Sequence, residues 1–98
     1  MRLRPSPQVI PSTPLLELKL KLPLGSEKRW YVVRLNSKGH VVWSRSAQAH
    51  LENGQMLLYL RADFSRIPLG SYDLITISTG FRIAVPVIVR EISPGSLK

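Results

Sequence analysis

In the stretch "LLELKLKL" the leucines at 16, 18, 20 and 22 fall on one side of an extended backbone, and Glu17, Lys19 and Lys21 fall on the other. This period of two predicts a strand with one face in a core and one in water. Further apolar, β-branched and aromatic runs predict strands at "WYVVRLN" (30–36), "HVVWSR" (40–45), "MLLYLRA" (56–62), "SYDLITIST" (71–79) and "FRIAVPVIVR" (81–90). In the last, Phe81, Ile83, Val85, Val87 and Val89 share a face. Pro86 interrupts it without an amide to give to a ladder, which predicts an edge position or a bulge. No stretch sustains a 3.6-residue period over three turns.

Turn residues divide these runs. "NSKG" (36–39) predicts a hairpin between the second and third strands, and Asn53-Gly54 in "ENGQ" is the preferred pair for a type I′ turn. Pro23 and Gly25 mark a connection, and Gly80 turns the chain before the last strand. "SAQAHLENGQ" fits a short strand or a helical turn. Residues 1–14 carry Pro5, Pro7, Pro11 and Pro14 and predict an extended linker or arm; residues 93–98 read as a tail. Six or seven short strands at this spacing predict an all-β, antiparallel two-sheet sandwich over 15–92.

The connection "SRIPLGSYDLITIS" (65–78) refines that expectation. A crossover between sheets carries backbone groups that need partners. A tyrosine at the start of the next strand can turn its hydroxyl back onto them while its ring fills the sandwich end. Pro68, Gly70 and Tyr72 provide those parts, with proline stiffening the loop and glycine permitting the tight turn. The fold expected is therefore an immunoglobulin-like sandwich of about seven strands, with Tyr72 and Trp43 buried in structural roles and Trp30 partly exposed.

Composition narrows function more than fold. The 98 residues hold no cysteine, which excludes disulfides, a thiolate nucleophile and cysteine-ligated zinc. No apolar run approaches the ~18 residues of a membrane span, and the first residues lack the apolar core of a signal peptide. The net charge of +8 is spread singly along the chain, as on a solvated surface; weak polyanion binding is the functional counterpart. His40 and His50 have no carboxylate at ligand spacing, and Asp63 and Asp73 read as turn and solubility residues. No nucleophile elbow, phosphate loop or dinucleotide fingerprint occurs. Arg45, Arg61, Arg66, Arg82 and Arg90 are scattered, without the interleaved exposed aromatics of a single-strand nucleic-acid platform. The expectation is a non-enzymatic module with no catalytic residues, no cofactor and no metal.

The series "LELKLKLPLGSEKRWYVVRLNSKGHVVWS", a polar turn, "LYLRADFSRIPLGSYDLITIS" and a final strand resembles the C-terminal β-sandwich domain of bacterial anti-sigma-factor-type zinc-finger membrane proteins. The features carrying the resemblance are Leu18, Leu20, Leu22 and Pro23, the Tyr31 strand, Gly39 to Trp43, and the corner Pro68, Gly70, Tyr72, Leu74. "LRPS" (3–6) is similar to the lead-in segment of those domains. The family tends to have Pro and Gly adjacent at the corner, whereas Leu69 separates them here. The resemblance implies an extracytoplasmic domain, tethered through a membrane helix and a cytoplasmic zinc-finger region that this sequence does not contain. It implies a protein or cell-envelope ligand and assigns no catalytic residue.

Two functions follow as expectations. One is a non-catalytic extracytoplasmic interaction or sensing module of a membrane-tethered regulator. It would use an open sheet face or the loops around 24–29 and 63–71, with Lys28, Arg29 and Arg66 as candidate contacts. The alternative is a basic module binding nucleic acid or anionic lipid.

Overall fold

A computed structural model describes residues 7–23 and 25–91; the lead-in segment 3–6 and the tail 93–98 lie outside these. The described chain is all β, in eight strands: β1 (Gln8–Pro11), β2 (Leu16–Lys21), β3 (Trp30–Ser37), β4 (His40–Gln48), β5 (His50–Glu52), β6 (Gln55–Ala62), β7 (Gly70–Ser78) and β8 (Phe81–Arg90). They form two sheets, ordered β1-β8-β7-β3-β4 and β2-β6-β5. This is an immunoglobulin-like sandwich with Greek-key crossovers.

Three features differ from the sequence expectation. There are eight strands among the described residues. One pair, β1 with β8, is parallel, with Gln8 opposite Val87 and Pro11 opposite Arg90. Four residues of the segment expected to be linker or arm are thus part of the sheet. The ambiguous segment after Arg45 resolves into the end of β4 and the short β5.

The period-two pattern produces the core directly. Leu16 on β2, Val33 and Leu35 on β3, Leu58 and Leu60 on β6, and Val87 and Val89 on β8 meet between the sheets, all buried. Ala47, Ala49 and Ala62 are buried among them, where small side chains let the layers approach. Both turns read from sequence are two-residue hairpins with positive φ at each position: Lys38 and Gly39 at 49° and 83°, Asn53 and Gly54 at 50° and 78°. The β3–β4 register shifts between Leu35 and Asn36, a bulge that sets the residues beyond it out of step.

Ladder parity explains the prolines. Ser12 donates its amide to the Arg90 carbonyl, so Ile10 also faces β8 and Pro11 faces the open side of β1. The same parity turns the backbone of Arg90, Ile88 and Pro86 toward β1. Pro86 therefore lacks its amide on the side away from β7, at the point where β1 begins. It sits on neither a bulge nor an outermost strand, but on a strand whose first half is uncovered.

An aromatic pair closes each end of the sandwich. Tyr31 and Phe81 meet edge to face at 5.5 Å, and Trp43 and Phe64 do so at 5.1 Å.

Candidate interaction surfaces

The corner is assembled as a local unit. The Tyr72 hydroxyl donates to the Pro68 carbonyl across four residues. Gly70 opens β7 at φ 145°, and a Cβ at this position would meet nothing within 4 Å, so backbone angle alone demands glycine there. Phe64, fully buried in the same loop, is tied by its amide to Thr13. Sequence reasoning missed a twin: the Tyr31 hydroxyl donates to the Glu27 carbonyl at 2.9 Å, again four residues back. The two tyrosines cap opposite ends of the antiparallel pair β3–β7. The signal was present in both places, a tyrosine at the first inward position after a loop.

Trp43 departs from the expectation of burial. It lies on β4, the outermost strand of its sheet, and is half-buried against Phe64. The central positions on β3 are filled by Val33 and Leu35 instead. Trp30 is 63% exposed.

The candidate contacts are not brought together. β7 runs from the loop holding Arg66 to the turn at Thr79–Gly80, and Arg29 touches that turn, its guanidinium donating to the Thr79 carbonyl at 3.4 Å. Arg66 therefore stands at one end of the sandwich, and Lys28 and Arg29 stand at the other. Arg29 is also paired with Glu27, and its own carbonyl accepts the Ala49 amide. It fastens its end of the sandwich to itself, while Lys28 and Arg66 are exposed.

At the Arg66 end, Asp63 accepts hydrogen bonds from the Ser65 hydroxyl (2.5 Å) and amide (2.9 Å). These bonds, foremost the hydroxyl's, with a smaller contribution from Arg66, hold its carboxyl below the ordinary aspartate range. Asp63 organises the turn. His40 adjoins the β3–β4 turn, whereas His50 stacks on Tyr59 at 4.8 Å. No group of three or more potential metal ligands occurs among the described residues.

The two outer sheet faces differ sharply. On the three-stranded sheet, charges answer one another: Glu17 with Arg61 at 3.7 Å and Lys19 with Glu52 at 4.0 Å. Tyr59 donates to Glu52 beneath Lys19. On the five-stranded sheet, in-register rows place Val32 beside Ile77, and Ile75 between Arg34 and Ala84. Ile75 is only 4% exposed although it points away from the core. Arg82 and the exposed Trp30 border this apolar strip. At its lower end the buried amide oxygen of Asn36 has no hydrogen-bond partner among the described residues, beside Asp73.

Compared with protein-family models, curated proteins and solved structures, the chain matches none. No helix of the described residues is long and apolar enough to cross a membrane.

Proposed function

We propose that this domain is a non-catalytic interaction or sensing module that binds a protein partner through the outer face of the five-stranded sheet. The observation that carries the reading is the contrast between the two outer faces. One pairs Glu17 with Arg61 and Lys19 with Glu52 across its own strands; the other presents Val32, Ile77 and Trp30 with the guanidinium groups of Arg34 and Arg82. An apolar strip edged by arginine suits a partner surface with an apolar centre and acidic margin. The resemblance to the anti-sigma-factor-type domains extends the proposal to a membrane-tethered protein with this domain outside the cytoplasm.

A photo-crosslinking residue at Val32 in the full-length product should yield a discrete adduct in cells, and one at His50, on β5 at the edge of the three-stranded sheet away from β2, should not. Equal labelling from both positions would refute the face assignment. A tag at the domain's C-terminus should be accessible to protease in spheroplasts; a protected, cytoplasmic tag would refute the extracytoplasmic placement. The polyanion alternative has less support, because the exposed cations Lys28 and Arg66 lie at opposite ends.

A further inference from the structure

A lateral cleft of about 340 Å³ separates the free edge of β2 from β8 and β1, with Leu18, Leu20, Leu22, Ile83 and Val85 in its walls. β2 is the outermost strand of the three-stranded sheet, and its backbone shows which groups face this opening. The Leu22 amide donates to the Met56 carbonyl, so Leu22 and Met56 form a hydrogen-bonded pair. The unbroken register from there to Leu16–Ala62 makes Leu20 and Leu18 hydrogen-bonded partners of β6 as well. The amides and carbonyls of Glu17, Lys19 and Lys21 therefore point away from β6, toward the open side. Leu18 and Leu20 are only half-buried, and Val85 across the cleft is 37% exposed. Hydrogen-bonding backbone thus stands directly beside an apolar trough.

We propose that this edge accepts an extended segment of a partner protein as a fourth strand, antiparallel to β2. Its alternate side chains are apolar and fill the cleft, and the others pair by charge with the β2 side chains. Directly opposite neighbours on one face interact most strongly. The row Lys21, Lys19, Glu17 therefore selects, in the partner's chain direction, acidic, acidic and basic residues at every second position. Main-chain bonds supply affinity, and the alternating side chains supply choice. This surface is separate from the five-stranded face, so either assignment can fail without the other.

The test titrates the intact chain with the capped peptide acetyl-Glu-Val-Glu-Val-Lys-amide, with acetyl-Glu-Glu-Val-Val-Lys-amide as the control of equal composition. Binding of the first alone should slow exchange of the Glu17, Lys19 and Lys21 amides and leave those of Leu18 and Leu20, already bonded to β6, unchanged. Lys21→Glu should weaken the peptide about fivefold, and acetyl-Lys-Val-Glu-Val-Lys-amide should recover the loss on that variant. Lys19→Pro removes an amide that faces only the opening. It should leave the fold intact by circular dichroism and abolish binding. Equal binding of the control peptide, protection confined to other strands, or indifference to Lys21→Glu would overturn the proposal. So would a dimer in sedimentation that Lys19→Pro dissolves, since a second copy would then be the occupant.

Discussion

Single side chains settle the two ends of this sandwich. Tyr72 and Tyr31 each close a loop by donating to a carbonyl four residues earlier. Removing either hydroxyl leaves that carbonyl without its donor. Tyr72→Phe and Tyr31→Phe should each cost about 1–2 kcal/mol, lowering the melting temperature by about 4–8 °C per kcal/mol for a domain of this size. A wild-type melting curve for both would show that water replaces the bond at no cost. Asp63 gives a pH signature. Its folded-state pKa lies below the unfolded value, so its contribution is fully present above the unfolded pKa and is lost as pH falls through the folded one. Carboxyl-resolved NMR titration should find an Asp63 midpoint below the ordinary aspartate value, and Ser65→Ala should move it up. An unmoved midpoint in that variant would remove Ser65 as the main cause.

At the level of strands, parity separates tolerated from forbidden substitutions. The Pro86 nitrogen faces the rim, whereas the Val87 amide faces Tyr72 on β7. Pro86→Val should change stability by less than about 0.5 kcal/mol. Val87→Pro should prevent cooperative folding, since it removes a ladder bond in a core position. Similar chemical denaturation midpoints for the two variants would show the parity to be wrong. The strands themselves were largely legible, because the rows from Leu16 and Tyr31 onward alternate as a half-buried strand must. β1 was hidden by its prolines, which signal a linker unless one knows that Pro11 faces an open edge. Trp43 was misread for a related reason: its turn spacing was visible, but its place on the outermost strand is a property of sheet order. Likewise the distance between Arg29 and Arg66 follows from the intervening length of β7 and from the crossovers. The outer-face strip and the β2 opening arise from pairing across strands distant in sequence, which composition and periodicity do not reveal.

For the molecule as a whole, the charge and the chain path have separate consequences. The cations are spread over two ends and both faces, so heparin binding should be weak and vanish at moderate salt, because dispersed phosphate or sulfate contacts act through counterion release. Sequence-selective nucleic-acid binding at physiological salt would refute this. The parallel pairing of β1 with β8 has a mechanical meaning. Tension drawing the chain outward at Gln8 and at Glu91 pulls these two neighbours past each other along their length. The bonds between them are then loaded together, whereas a hairpin pulled from its two open ends parts one bond at a time. Single-molecule extension through residues 8 and 91 should therefore need a higher rupture force than extension through Trp30 and Gln48, which bracket the β3–β4 hairpin. Equal forces would deny the pair that role. With it, a domain held on one side can transmit a pull to whatever it has bound before it yields.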